Sequence, residues 1–392
     1  MTASRDFLSG IEARVARCGT PGDTTRTMNQ RKRVFSGIQP TGEAHLGNYL
    51  GVFRRWARMV DEYDCFYCIV DLHAITREYE REDLLRRVFD LTVSLVASGI
   101  DPERCTLFAQ SHVPYHSELS WLFNTVTPVG DLGRMTQFKE KSAGRQSVNA
   151  GLFNYPVLQA ADILLYRTDF VPVGEDQRQH LELSREIARR WNARFGDFFP
   201  EPETLVGTGS RVRGLDGVAK MSKSRDNTVR MIAEPDELWA RLRTAVTDPA
   251  RVRRDDPGNP HVCNVFALHE FFTDPAARDE IEIRCQTAGI GCVVCKRMLT
   301  DNVAEDLAPV RARAAELRAN PARVLEILAA GAERAHAEAA RTMEVVRDRM
   351  GVGAATLDGD LPRLTGAAGA PGSAPESAPE SAPESVPESA GA

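Results

Sequence analysis

Val34-Phe35-Ser36-Gly37-Ile38-Gln39-Pro40-Thr41-Gly42-Glu43-Ala44-His45-Leu46-Gly47-Asn48 reads as a short buried strand, a Pro/Gly loop and the start of a helix. A continuous apolar run gives way to turn residues, and from Asn48 to Tyr63 apolar residues recur at helical spacing. Working outward, Cys65-Phe66-Tyr67-Cys68-Ile69-Val70 is a second strand. Residues 82–98 form an amphipathic helix (Leu84, Leu85, Val88, Leu91, Leu95), and Cys105-Thr106-Leu107-Phe108-Ala109 is a third strand. This β-α-β-α-β order favours an α/β fold with a parallel sheet and right-handed crossovers, which binds ligands at the carboxyl ends of its strands. In the first loop, glycine lets a phosphate approach the backbone and the helix N-terminus favours an anion. The same residues equally suit an ordinary strand-to-helix turn.

Further along, a helix covers about 156–166, and Phe170-Val171-Pro172-Val173 leads into Gly174-Glu175-Asp176-Gln177. Residues 300–350 are rich in Ala, Glu, Arg and Leu with few breakers and predict a helical C-terminal part. From Ala370 an Ala-Pro-Glu-Ser repeat cannot bury a core. At 392 residues two domains are expected. The expected boundaries are an extension over 1–32 of uncertain order, a catalytic domain over 33–232, a helical domain over 233–352 and a disordered tail over 353–392. No run of about 18 apolar residues could span a bilayer, and Met1 to Met28 has scattered charges where a secretory signal is apolar, so a cytoplasmic protein without membrane association is expected. The formal charge of -6 includes Glu376, Glu380, Glu384 and Glu388 of the tail. Local basic runs, Arg251-Val252-Arg253-Arg254 and Lys296-Arg297, matter more for an RNA surface, although such runs usually form a solvated face.

Lys220-Met221-Ser222-Lys223-Ser224 sets two lysines and two hydroxyls within five residues of a Gly-rich region. Mobile ammonium groups can follow charge as it moves onto departing pyrophosphate, which stabilises the transition state selectively. Together with His45-Leu46-Gly47-Asn48, this segment resembles the two signatures of the class I aminoacyl-tRNA synthetases. Asn48 in the last position of the first signature is similar to the tryptophan enzymes of bacteria. The resemblance runs through roughly 33–350, including Ile69-Val70-Asp71-Leu72-His73-Ala74-Ile75-Thr76 and Met135-Thr136-Gln137-Phe138-Lys139-Glu140-Lys141. It implies a Rossmann-like catalytic domain with a helical anticodon-binding domain, tRNA(Trp), L-tryptophan and ATP with Mg²⁺ as partners, and a homodimer. It assigns Gln39, Pro40, Thr41, Gly42, Gly47, Asn48, Gly174, Glu175, Asp176, Val212, Lys220, Met221, Ser222, Lys223 and Ser224 to ATP. Gln39, Lys139, Lys141, Lys220 and Lys223 would serve catalysis.

In Tyr155-Pro156-Val157-Leu158-Gln159-Ala160-Ala161-Asp162, helical spacing puts Tyr155, Gln159 and Asp162 along one face. The resemblance makes Asp162 the acceptor of the indole N–H. It adds Phe35, His73, Val171 and Val173 as pocket walls and Gln177 near the amino-acid backbone. Gln159 stands where many family members carry Met, and Tyr-x3-Gln-x2-Asp is also similar to the tyrosine enzymes, which keeps a tyrosine-specific ligase as the alternative. A non-charging regulatory protein that binds tryptophan and ATP is a second.

Eight cysteines in a cytoplasmic chain argue against disulfides. Strand alternation points Cys65 and Cys68 to opposite faces, as core residues. Cys263, Cys285, Cys292 and Cys295 follow C-x21-C-x6-C-x2-C, an all-thiolate set that binds zinc or an iron–sulfur cluster, which spacing does not separate. The resemblance implies a [4Fe-4S] cluster, with Zn²⁺ as the alternative.

Overall fold

The computed structural model describes residues 31–144, 147–174, 177–205 and 212–364. Residues 1–30 of the expected extension and the tail from 365 onward lie outside them. Five strands form one parallel sheet: β1 (Arg33–Ile38), β2 (Asp64–Ile69), β3 (Thr106–Ala109), β4 (Phe170–Val171) and β5 (Glu203–Thr204), in the order β3-β2-β1-β4-β5. β1 and β2 pair along their whole length, from Arg33 with Asp64 to Ile38 with Ile69. The three apolar runs read as strands are the three central and edge strands of one half of this sheet. Their side chains are buried on both faces, as helix-covered parallel strands require. Cys65 and Cys68 are both core residues. β4 and β5 have two residues each, too short to leave a periodic trace.

The helix expected from Asn48 begins two residues earlier, as α1 (Leu46–Asn48), passes through a π-helical turn over Tyr49–Phe53 and continues as α2 (Arg54–Met59). Such turns cluster at functional sites. This one is pinned at both ends: the Tyr49 hydroxyl donates to Asp306 at 3.3 Å, and the Arg54 guanidinium pairs with the same carboxylate. α3 (Arg81–Ala97) covers the β2 crossover as the amphipathic pattern predicts. α4 (Tyr115–Asn124), α5 (Ala150–Leu164) and α6 (Arg178–Phe195) pack side by side, with α5 in the middle. α5 carries Pro156 near its start.

The C-terminal part is helical: α7 (Pro235–Leu242), α8 (Asn264–Phe272), α9 (Pro275–Gln286), α10 (Cys292–Ala319) and α11 (Pro321–Met350). α10 packs on α3, α7 and α8. The described residues up to Val345 form one compact unit, and one cluster of buried apolar side chains runs from Val34 to Leu328. A second unit starts at Val346 and contains α12 (Ala354–Leu364). This helix lies within the segment expected as tail. Leu357, Leu361 and Leu364 recur at helical spacing there, before the Ala-Pro-Glu-Ser repeat begins. Among the described residues no helix is long and apolar enough to cross a membrane.

α11 lies directly on the edge strand. A Cβ on Gly331 would stand 1.8 Å from the Leu107 carbonyl oxygen, and Arg334 of the same helix donates to the Pro102 and Cys105 carbonyls at 2.8 and 3.0 Å. Gly331→Ala gains about 1 kcal/mol of helix propensity, but forcing a methyl against strand backbone costs about 1–3 kcal/mol and the contact is too short to relax cheaply. A thermal melt of G331A is expected to show a lower Tm than wild type. A Tm equal or higher would mean that α11 does not seat on β3 in this way.

Candidate active site

Asp162, near the end of α5, is 1% exposed, and a carboxylate so enclosed needs donors around it. Three side chains supply them. His73 Nε2 lies 2.8 Å from Oδ2, Gln110 Nε2 donates to Oδ1 at 2.6 Å, and His116 Nδ1 lies 2.7 Å from Oδ1. His73 sits in the turn after β2, Gln110 directly follows β3, and His116 is in the first turn of α4. His116 Nε2 in turn lies 2.8 Å from the Tyr166 hydroxyl. Burial pushes the Asp162 carboxyl up, but the hydrogen bonds from His116 and His73 outweigh it and hold it down at about 2. The sequence reading includes His73 and omits Gln110, His116 and Tyr166. The available signal was a glutamine at the carboxyl end of a buried strand, where a ligand-facing residue belongs.

Of the other pocket candidates, the Tyr155 hydroxyl lies 2.8 Å from His180 Nε2 and its ring meets His73 edge-on at 6.3 Å. Gln159 Nε2 donates to Gln177 Oε1 at 3.4 Å. Tyr155, Gln159 and Asp162 of α5 thus each have a polar partner of their own. Phe35 stacks on Tyr166 at 5.8 Å, Val171 is buried in β4, and Val173 is half-buried just beyond it. Lys141 donates to Gln137 at 2.9 Å with its ammonium 4.6 Å above the Tyr155 ring, while Lys139 on the same short helix is exposed.

The two signature segments meet. Leu46 N–H donates to the Val229 carbonyl and Met231 N–H to the Ala44 carbonyl, both at 2.9 Å, so an antiparallel bridge of His45 with Arg230 ties the first loop to the strip behind the second. Asn48 Oδ1 accepts the His45 N–H at 3.1 Å and closes the turn into α1. Gly42 adopts φ +113°, and its Cβ position lies 3.0 Å from Lys223 Nζ; that ammonium donates to the Thr41 carbonyl at 3.3 Å. Gln39, Thr41 and Gly174 are exposed and Pro40 is buried, while Gly47 lies against Met221. Val212 and Met221 are also buried, with Met221 N–H donating to the Val212 carbonyl at 3.3 Å. Glu175 and Asp176 lie outside the described residues, and Ser224 belongs to a short 3-10 turn.

Asn227, buried and absent from the sequence reading, organises the second loop. Its Oδ1 accepts the Ser222 N–H at 2.7 Å, and its Nδ2 donates to Asp216 at 2.7 Å and to the Lys220 carbonyl at 3.3 Å. Beside the loop a cavity of about 540 Å³ is lined by Arg213, Val218, Ala219, Lys220, Ser222 and Arg225. Three cations and a hydroxyl around one opening suit an anion. Burial and then the charges of Lys223 and Lys220 lower His45 to about 4, so its imidazole is neutral at pH 7.

Cys263 caps α8, Cys285 lies near the end of α9, Cys292 opens α10, and Cys295 follows one turn later. Burial, then the charges of Cys263, Cys285 and Cys292, push the Cys295 thiol up to about 12. Among the described residues no three His, Cys, Asp or Glu side chains converge so as to hold a metal ion. Arg251 Nη1 stands 3.9 Å from both Cys285 Sγ and Cys292 Sγ, and Cys295 Sγ is 3.4 Å from His269 Nε2. A Cβ on Gly258 would come within 2.6 Å of Cys285 Sγ. Of the basic runs, Arg251 faces the thiols, Lys296 donates to the Arg243 carbonyl at 2.8 Å, and Arg297 lies 3.6 Å above the Trp239 ring; Arg253 and Arg254 are exposed.

A family model described as tRNA synthetases class I (W and Y) matches residues 27–308. The tryptophan–tRNA ligase of Deinococcus radiodurans is 49% identical over 324 residues, covering 81% of this chain and 98% of that protein. The tryptophan–tRNA ligase of Corynebacterium glutamicum is 45% identical over 341 residues, covering 85% and 98%. Among solved structures, the tryptophanyl-tRNA synthetase of Campylobacter jejuni, complexed with ADP and tryptophan, superposes with a TM-score of 0.77 at 35% identity, covering 82% of this chain and all of that one.

The Lys223 ammonium has a measurable signature. Partial desolvation where it meets the first loop lowers it to about 8, although the side chain stays open to solvent on one side, and Glu43 partly offsets the shift. It is therefore cationic below about pH 8 and neutral above. The kcat/KM for ATP, which reports free-enzyme ionisations, is expected to fall above pH 8 by about tenfold per unit, and Lys223→Arg is expected to remove that limb. A wild-type profile flat to about pH 9.5 would contradict it.

Proposed function

The chain belongs to the class I tRNA synthetases of the tryptophan and tyrosine family, and from that premise we propose how its residues carry out tryptophan–tRNA ligation. The enzyme activates L-tryptophan with ATP to tryptophanyl-adenylate and pyrophosphate, then transfers tryptophan to tRNA(Trp). The observation that carries the residue-level reading is the buried, ionised Asp162 at the carboxyl ends of β2 and β3, together with a lysine-bearing loop that touches the first signature loop through Lys223 and Thr41.

Asp162 accepts the indole N–H, with Phe35, His73, Tyr155, Gln159, Val171, Val173 and Gln177 around the substrate. ATP lies over Gln39 to Asn48, with Gly174, Glu175 and Asp176 on the nucleotide and Mg²⁺ on its phosphates. The tryptophan carboxylate oxygen attacks the α-phosphorus in line as the bond to the pyrophosphate oxygen breaks, and Lys139, Lys141, Lys220 and Lys223 stabilise the charge that leaves. No proton needs to move in this step. The tRNA 3′ hydroxyl then takes the acyl group and releases AMP. Residues 33–232 supply this chemistry and 233–352 meet the anticodon, where exposed Arg253 and Arg254 remain available to RNA. The working form is a cytoplasmic homodimer.

For Cys263, Cys285, Cys292 and Cys295 we favour an iron–sulfur cluster over zinc. The preference rests on the spacing C-x21-C-x6-C-x2-C and on the family resemblance of the segment around Cys292 and Cys295. The four thiols lie within electrostatic reach of one another, with the Arg251 guanidinium able to offset the charge of a thiolate-bound centre. Such a cluster would be structural, joining the starts of α8 and α10.

Amino-acid-dependent pyrophosphate exchange is expected with tryptophan, and with tyrosine at least about a hundredfold weaker; robust tyrosine exchange would overturn the Asp162 assignment. Charging of tRNA excludes a regulatory role without ligation. Protein purified without oxygen is expected to hold about four iron and four sulfide per chain, falling sharply in Cys292→Ala. Zinc without iron would overturn the cluster.

A further inference from the structure

Asp162 has two oxygens, and the surrounding donors load them unequally. Oδ1 takes both Gln110 Nε2 at 2.6 Å and His116 Nδ1 at 2.7 Å, whereas Oδ2 takes His73 Nε2 alone, at 2.8 Å. A carboxylate only accepts, so Nδ1 of His116 carries a proton, and Nε2 on the other side of the ring is hydrogen-bonded to the Tyr166 hydroxyl at 2.8 Å. Tyr166 is itself immobile. Its fully buried ring stacks on Phe35 of β1 and Phe66 of β2 and meets Phe108 of β3 edge-on, at 5.8, 4.6 and 5.7 Å. Burial also pushes the Tyr166 phenol well above its ordinary range, so the hydroxyl stays neutral and keeps its hydrogen bond to the ring. The chain sheet, Tyr166, His116, Asp162 is thus continuous, and every member is inaccessible to water.

We propose that His116, anchored by Tyr166, is a positioning residue for tryptophan recognition: it occupies Oδ1 and orients the carboxylate so that Oδ2 is the oxygen offered to the indole N–H. This rests on the reading of Asp162 as the indole acceptor. It assigns the specificity not to Asp162 alone but to the pair behind it, on the side away from the substrate. A site built around one N–H rejects an analogue lacking it, because the acceptor is then left unpaired. A carboxylate free to rotate, or to turn Oδ2 onto another donor, loses that discrimination.

The test compares tryptophan with 3-benzothienylalanine, in which sulfur replaces the indole N–H, in pyrophosphate exchange. His116→Leu is expected to raise KM for tryptophan on the order of tenfold to a hundredfold, the range of one hydrogen bond to a charged group. KM for ATP should stay within about twofold, and the preference for tryptophan over the analogue should shrink by the same factor as the tryptophan KM rises. His116→Asn, whose amide nitrogen can stand where Nδ1 does, should restore most of the preference. Tyr166→Phe removes one hydroxyl without changing shape, so it carries the test if His116→Leu does not fold; a smaller loss of preference in the same direction is expected. Asp162→Asn separates the two levels of the argument. Preference lost in Asp162→Asn but intact in both His116→Leu and Tyr166→Phe would overturn the proposal and leave the Asp162 reading standing. Preference intact in Asp162→Asn as well would overturn both.

Discussion

A single buried negative charge organises this molecule's centre. Asp162 cannot stay ionised at 1% exposure unless donors converge on it. The three that do come from the turn after β2, the residue after β3 and the first turn of α4. Meeting that requirement sets where three loops end and how α4 and α5 face each other. It also leaves a polar, water-excluded point at the carboxyl ends of the strands, where a parallel sheet presents its ligands.

The phosphate side follows different physics. Here Arg213, Lys220 and Arg225 line an open cavity, and the loop that bears Lys220 is held by Asn227 and by the buried side chains of Val212 and Met221 behind it. Lys223 reaches across to the Thr41 carbonyl, a contact between two loops that a polyphosphate between them would displace. Under the proposed function, an enclosed carboxylate for the amino acid and lysines on a loop for the phosphates suit a reaction in which the substrate must be selected and the leaving group's growing charge met.

The helical part is joined to the sheet at contacts with little tolerance. Gly331 lets α11 sit on the β3 backbone, and Asp306 of α10 takes both Tyr49 and Arg54 beside the π-helical turn that follows the first signature. Asp306 therefore ties α10, which opens at Cys292, to the helix that follows the first signature.

Much of this was legible in the sequence, because strand and helix periodicities report burial directly. Phe35, Tyr67 and Leu107 sit in apolar runs and are buried; Leu91 and Leu95 sit on the apolar face of the 82–98 pattern and are buried too. The two signatures and the Tyr155, Gln159, Asp162 face are local, so spacing alone brings their residues together. Gln110, His116, Tyr166 and Asn227 were not legible. Each acts through a partner far away in the chain or through a loop closed by a turn, and no period records which donor meets which acceptor. The same holds for Gly331, which in a helix looks only unfavourable until β3 is seen beneath it. Sequence determined the longer elements, the sheet type and the chemistry available, since these depend on neighbours along the chain; tertiary structure alone decided the two-residue strands β4 and β5 and which buried donors satisfy Asp162, because pairing and hydrogen bonds depend on separation in space.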